Sequence, residues 1–292
     1  MRVLITGAKG QLGNEIIRIL NIGTSALGSI NQVYKHVEVA KSDIKDLDIT
    51  NLDLVKNYVN NFKPDIIINT AAYTNVDGCE MDTDTAFKIN ALGARNVAMI
   101  AEEVGAKIVH VSTDYVFSGN GSIPYKEYDL PCPVNVYGKT KLLAEKYVQQ
   151  FCSKYFIVRT AWLYGYNGRN FVKTIISAGK ERGHLSVVDD QKGNPTNAEE
   201  LAHHILEMCL TEEYGLYHCT SNGECSWYDF AKKIVQNAGI KCNVIPIQSE
   251  QLQRAAKRPT YSSLDNMMLR CTIGDKMRNW EDALEYFIRG LL

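Results

Sequence analysis

Apolar residues along this chain come in short unbroken runs, separated by stretches with helical spacing. Arg2-Val-Leu-Ile-Thr6, Pro64-Asp-Ile-Ile-Ile-Asn69, Lys107-Ile-Val-His-Val-Ser112 and Phe156-Ile-Val-Arg-Thr160 are four such runs. Short, β-branched and near-continuous, they read as parallel strands buried on both faces. Val33 to Ala40 reads as a further strand. Between the runs the period changes. Asn14 to Leu20 sets Ile16, Ile17 and Leu20 on one side, and helices are expected from about 82 to 90 and from 91 to 104. Residues 139–150 carry Leu142, Leu143, Lys146, Tyr147 and Gln150 at spacings of three and four. Strand alternating with helix predicts an α/β fold, a doubly wound, mostly parallel Rossmann-type sheet over residues 1–165 with right-handed connections.

After Gly165 the rhythm changes. A turn at Asn167-Gly-Arg-Asn170 leads to a helix from Phe171 to Ala178, then a strand at Leu185-Ser-Val-Val188. A polar loop follows over 189–195, bent at Gly193 and Pro195. Asn197 is placed to cap a helix over 199–209, and Gly215 to Cys219 reads as a strand returning to the sheet. Ser226, with Asp229 three residues on, predicts a helix start. Glu281 to Ile288 forms a terminal helix. Residues 166–292 hold no second nucleotide motif, so they are expected to form mainly a smaller C-terminal substrate-binding lobe.

Composition narrows the partners. The chain has 292 residues, and a formal net charge of -1 gives no electrostatic reason to bind nucleic acid or an anionic membrane. No apolar run reaches membrane-spanning length. Residues 1–6 already read as a strand, which leaves no room for a signal peptide. Eight scattered cysteines without a C-x-x-C pair predict free thiols in a reducing, cytoplasmic setting. Neither cysteines nor histidines cluster with metal-ligand spacing, so no metal-ligating residues are assigned from the residues alone.

The first strand runs into Gly7-Ala-Lys-Gly-Gln-Leu-Gly13 and then a helix. In that setting Gly7 permits the tight turn, Gly10 lets backbone approach a pyrophosphate, and Gly13 lets the helix pack close. The phosphate then meets the backbone N–H groups of Gln11 and Leu12 at the helix start. Asp43, after the second strand, is a candidate for the adenosine ribose hydroxyls, whereas Lys41 suits a 2′-phosphate, so NADH and NADPH both stay open. Asp48 either lies near the adenine or caps the helix that starts near Asn51. Ala71 and Ala72 are small enough for a cofactor to lie close, and Tyr73 beside them is counted with the cofactor contacts. Tyr137 and Lys141 stand four residues apart, so a helix puts both on one face. A phenol beside an ammonium is a proton donor for carbonyl chemistry, because the ammonium favours the phenolate. Thr113 ends a strand where ligands bind in open α/β sheets, and could donate to the same oxygen or cap the next turn. Asp114 either orients substrate or caps. Asn75 and Trp162 are counted with the substrate, Trp162 with core packing as its alternative. Arg258, in a basic patch with Arg254 and Lys257, either grips a phosphate or is solvated surface.

Joined together, Thr113, Tyr137, Lys141 and the glycine loop resemble the extended short-chain dehydrogenase/reductase superfamily. Longer stretches resemble the dTDP-4-dehydrorhamnose reductase family over nearly the whole chain. They include Gly10-Gln-Leu-Gly13, Leu47-Asp-Ile-Thr50, Asn69-Thr-Ala-Ala-Tyr-Thr-Asn-Val-Asp77, Ser112-Thr-Asp-Tyr-Val-Phe-Ser-Gly119 and Pro133-Val-Asn-Val-Tyr-Gly-Lys-Thr-Lys141. Arg159-Thr-Ala-Trp-Leu-Tyr-Gly165, Asp190-Gln-Lys-Gly-Asn-Pro-Thr196, Arg254-Ala-Ala-Lys-Arg-Pro259 and Ser263-Leu-Asp265 complete the set. Asn194 departs from it, where the family more often carries a small or apolar residue. The resemblance implies hydride delivery from NADPH or NADH to C4 of a dTDP-4-keto-6-deoxy-L-hexose, with Tyr137 as proton donor supported by Lys141 and Thr113. It leaves bound magnesium and a homodimer open, since some members show them and others do not. A related dehydratase places two acids after its Thr; here Tyr115 takes the second position, which speaks against elimination. A 4-epimerase shares the same core residues. A regulatory subunit similar to that of methionine adenosyltransferase is the non-catalytic alternative.

Overall fold

The apolar runs pair into one six-stranded sheet, and all of its pairings are parallel. The computed structural model describes residues 1–292. In chain order the sheet strands are β1 (Arg2–Thr6), β2 (Glu38–Ser42), β3 (Ile66–Asn69), β4 (Lys107–Thr113), β5 (Tyr155–Thr160) and β6 (Gly215–His218). Across the sheet they run β6-β5-β4-β3-β1-β2. The order reverses between β1 and β3, so a crevice opens there beyond the strand C-termini, where open α/β sheets hold ligands.

The helices that cover the sheet are α1 (Gln11–Ile22), α2 (Leu52–Phe62), α3 (Gly93–Val104), α4 (Val136–Phe151) and α5 (Ala198–Cys209). One apolar cluster joins α1 and α5 to one face through Ile16, Ile19, Leu201 and Ile205. A second joins α2, α3 and α4 to the other face through Val55, Val97, Ala144 and Val148. Residues beyond 197 therefore return to the sheet as α5 and β6. A third cluster lies off the sheet, around Tyr164, Phe230, Trp280 and Phe287. The capping box at Ser226 and Asp229 forms, and Asn197 caps α5 through the Glu199 N–H. All eight cysteines are unpaired, and no helix is long and apolar enough to cross a membrane.

Several elements differ from the sequence expectation. Residues 32–36 are a 3-10 helix rather than the start of a strand; Asn31 caps it, and the buried Tyr34 hydroxyl donates to the Leu206 carbonyl at 2.6 Å. The strand proper begins at Glu38. The first helix starts at Gln11, directly after Gly10, and its buried side also carries Ile19; Ile17 packs half-buried against the same cluster. The segment expected as two helices over 82–104 instead runs Thr83–Ala86, a π-helical turn Phe87–Leu92, and α3. The wide turn lets Asn90 point inward. It hydrogen-bonds both ways with the Tyr73 backbone, at 2.7 and 3.2 Å, and donates to Thr140 on α4 at 3.1 Å. That ties the loop after β3 to the helix of Tyr137.

Candidate active site

The crevice is a cavity of about 710 Å³ that runs from the glycine loop to the start of α4. Gly7, Gly10, Gln11 and Leu12 line one end. Gly7 has φ of 67°, and a Cβ there would lie 2.7 Å from the Ala71 backbone nitrogen. Gly10 caps α1 with no side chain, so the first N–H groups of the helix are free to meet a ligand. Gly13 does not line the cavity. A Cβ at Gly13 would lie 2.5 Å from the Gly7 carbonyl, so its role is close packing, as the motif implies.

Asp43 and Asp48 line the same end. Asp43 accepts from the Lys9 N–H at 3.1 Å and the Ile44 N–H at 2.8 Å. Asp48 accepts from the Thr50 N–H and hydroxyl. It does not cap α2; Asn51 does, through the Leu54 N–H. Ala71, Ala72 and Tyr73 form the floor. This end suits a dinucleotide: bare backbone at a helix start, with a carboxylate after the second strand.

Thr113, Asp114, Tyr137, Lys141 and Trp162 line the other end. Asn135 caps α4 by accepting from the Gly138 N–H at 2.8 Å, which fixes Tyr137 in the first turn. Burial raises the Tyr137 phenol above its usual range. Lys141 Nζ turns down to the strand, donating to the Val111 carbonyl at 2.7 Å, and lies 3.3 Å from His110 Nε2. Tyr137 thus keeps its proton at neutral pH, as a donor must.

Thr113 caps the turn that follows it, accepting from the Tyr115 N–H at 3.2 Å, and its hydroxyl proton goes to Asp114 Oδ1 at 2.9 Å. Both alternatives read for Thr113 therefore meet in one residue. The second oxygen of Asp114, Oδ2, is buried without a partner. Burial pushes the Asp114 carboxyl up to about 6. Its folded value lies above the unfolded one, so its contribution to stability is full below the unfolded value and is lost as pH rises through about 6. Asp114→Asn is accordingly expected to stabilise the fold at about pH 8 by on the order of 2 kcal/mol, and to leave stability unchanged at about pH 3. Urea unfolding at the two pH values reads this. An equal change at both would mean that the ionised carboxylate bears no burial cost.

Trp162 lines the cavity and also packs, stacked on Trp227 with ring centroids 3.6 Å apart. Its φ of 47° is strained for a bulky residue. Two expected substrate residues lie outside the cavity lining. Asn75 spends its side chain as a helix cap, accepting from the Gly78 N–H at 3.0 Å. Arg258 grips Asp77 with two nitrogens, at 2.5 and 2.7 Å, and the pair holds the Asp77 carboxyl down at about 2. Its neighbour Tyr115 meets the Tyr137 ring edge-on at 5.8 Å.

Other residues enter that the sequence reading passed over. Gly168 and Arg169 line the cavity, and Asn170 donates to Gln11 Oε1 at 3.0 Å and to the Gly165 carbonyl at 2.8 Å. The turn 167–170 thereby closes on the glycine loop. The Asn170 to Gln11 bond spans 159 residues, so no local pattern carries it. No three His, Cys, Asp or Glu side chains gather to hold a metal ion. Glu15 and Glu199 do meet, but Arg18 bridges them at 2.5 and 2.6 Å. That guanidinium meets their charge.

Comparison with known proteins agrees with this geometry. A dTDP-4-dehydrorhamnose reductase structure from Clostridium acetobutylicum superposes with a TM-score of 0.94 at 48% identity, covering 100% of this chain and 99% of that one. One from Bacillus anthracis, in complex with NADP, gives 0.93 at 46% identity and 99% coverage of both chains. The dTDP-4-dehydrorhamnose reductase of Aggregatibacter actinomycetemcomitans is 38% identical, over 97% of each chain. The family model described as RmlD substrate binding domain matches residues 1–292. By full-length match to that model and by identity to these reductases, the chain belongs to the RmlD family.

Proposed function

We propose that this protein reduces the C4 ketone of dTDP-4-dehydrorhamnose to dTDP-L-rhamnose with NADPH or NADH. One observation carries the reading: the Tyr137 phenol stands in the same cavity as a glycine loop of exposed backbone. A reduced nicotinamide bound in that cavity would supply the hydride. Gly10, Gln11 and Leu12 would hold its pyrophosphate, and Asp43 the adenosine ribose. Lys9, which lines the same end where Lys41 does not, would offer a charge to a 2′-phosphate, and NADH and NADPH both stay open.

The protein's own groups supply the proton. As hydride reaches the carbonyl carbon, negative charge grows on the oxygen. Tyr137 gives its proton to that oxygen, forming the new hydroxyl and leaving phenolate. The site's hydrogen bonds are then aimed at developing charge, where they are worth most. Thr113 donates to the substrate oxygen only after its hydroxyl turns from Asp114. Asp114 and Trp162, which line the Tyr137 end, are assigned to the sugar. Arg258 stays assigned to substrate phosphate, on condition that it leaves Asp77.

The test is to supply dTDP-4-dehydrorhamnose with NADPH and, separately, with NADH. Absorbance loss at the nicotinamide band matched by dTDP-L-rhamnose formation is the expected result. Conversion without net oxidation of the cofactor would indicate epimerisation. Cofactor binding without conversion would indicate the regulatory alternative.

A further inference from the structure

Behind the reacting end lies a line of buried polar side chains that the proposed reaction does not use. Thr6, Asn69 and His110 stand in register on the adjacent strands β1, β3 and β4, and the line ends at Lys141. Each is at most 2% exposed. Their donors and acceptors can be assigned from one fixed group. The Ala71 backbone N–H lies 3.3 Å from Asn69 Oδ1, and the Thr6 hydroxyl lies 2.7 Å from the same atom. A backbone N–H only donates, so the atom it meets is the amide oxygen. The NH2 of Asn69 therefore faces His110 Nδ1, at 3.2 Å, and Nδ1 accepts. A neutral imidazole that accepts at Nδ1 carries its hydrogen on Nε2. That nitrogen lies 3.3 Å from Lys141 Nζ.

The contact has a clear preference between protonation states. As a free amine, Lys141 accepts from Nε2–H and still donates to the Val111 carbonyl at 2.7 Å. As an ammonium it has no lone pair, and N–H is set against N–H. We propose that His110 is a positioning residue for Lys141: oriented by Asn69, its Nε2–H favours the neutral amine and sets the pH at which Lys141 becomes charged. This rests on the reading of Lys141 as part of the reaction site. The charge matters there, because an ammonium stabilises the phenolate left when Tyr137 has given up its proton, and an amine does not.

The surroundings agree. Burial draws Lys141 down to about 8, and Glu145 opposes it. Burial and the neighbouring Lys141 hold His110 well below its usual range, so the ring stays neutral. Glu145 lies one turn further along α4. It is already engaged by Arg159 from β5 at 2.7 Å and by Ser112 from β4. Asp114 and Tyr115 after β4, and Cys79 from the helix Val76–Met81, act on Tyr137. Asn90 from the π-helical turn meets Thr140 and brings no charge.

Two variants approach the contact from opposite sides. His110→Gln removes the imidazole N–H and can turn an amide oxygen toward Lys141. Asn69→Asp keeps an acceptor for Thr6 and Ala71 and offers a carboxylate oxygen to Nδ1. The ring hydrogen then moves to Nδ1, and bare Nε2 faces Lys141. In both, the kcat/KM midpoint belonging to Lys141 is expected to rise by about one pH unit. A packing role alone would lower activity at every pH and leave the midpoint in place. 15N NMR of histidine-labelled protein without substrate reads the tautomer directly, with His110 assigned from the signal missing in His110→Gln, or by sequential assignment if that variant does not fold. A hydrogen on Nε2 is expected, with a shift that follows the Lys141 titration. A hydrogen on Nδ1, or an unmoved midpoint in either folded variant, overturns the proposal. The tautomer is read on resting protein, so its failure leaves the proposed reaction standing, and failure of the reaction leaves the tautomer result interpretable.

Discussion

Tyr137→Phe is expected to lower kcat by roughly 10²–10⁴, the contribution of a positioned general acid, with little change in cofactor affinity or stability. The expectation of a folded protein rests on the neighbours of the lost hydroxyl. Thr113 keeps two partners without it, the Tyr115 N–H and the Asp114 carboxylate. No buried donor is orphaned, which is the usual source of a large cost when a hydroxyl is deleted. The phenyl ring still meets Tyr115 edge-on and still occupies the first turn of α4, capped by Asn135. A fall in kcat with KM nearly unchanged marks a group that acts in the transition state and not in ground-state binding. Steady-state kinetics with both nicotinamides, beside a thermal melt, separates the cases. Turnover close to wild type would move the proton donor elsewhere, and the proposed mechanism would fall with it.

The parts legible in the sequence are those whose physics is local. A continuous β-branched run such as Ile66–Ile68 has few alternatives to a buried parallel strand, and β3 is buried throughout. The capping residues Asn197 and Ser226 carry their partners within three positions, and both caps form. Tyr137 and Lys141 meet the cavity because an i, i+4 pair stays on one face of any helix. What the sequence hid depends on distant partners. The run from Val33 reads as a strand, but the Tyr34 hydroxyl finds a carbonyl on α5 and the backbone coils there instead. Arg258 looks free in sequence because Asp77 lies 181 residues away. His110 sits mid-strand among apolar neighbours, and its partner atoms come from β3 and α4. The direction of the Lys141 side chain, toward the strand, follows from the Val111 carbonyl, which helical spacing does not encode.

Gly10→Val is expected to weaken NADPH and NADH binding by about 100-fold or more while the protein stays folded. Of the three loop glycines, Gly10 alone allows this test. A side chain at Gly7 would meet positive φ and the Ala71 backbone at 2.7 Å, and one at Gly13 would strike the Gly7 carbonyl at 2.5 Å. Both changes would disturb the packing of β1, α1 and the loop after β3, so lost binding would say nothing about the ligand. Gly10 has φ of -71° and ψ of 170°, extended backbone that valine adopts freely. Its only close neighbour would be the Gly7 carbonyl, at 3.2 Å. The valine would instead stand at the helix start, in the space the proposal gives to the pyrophosphate. Displacing that group loses charge-assisted hydrogen bonds to backbone N–H, each worth roughly 1.5–3 kcal/mol, and two such losses suffice for the expected factor. Fluorescence titration gives the dissociation constants, and circular dichroism with a melt shows whether the fold persists. A folded Gly10→Val protein that binds either dinucleotide as tightly as wild type would place the cofactor away from the glycine loop, and the hydride donor would then lack a path to Tyr137.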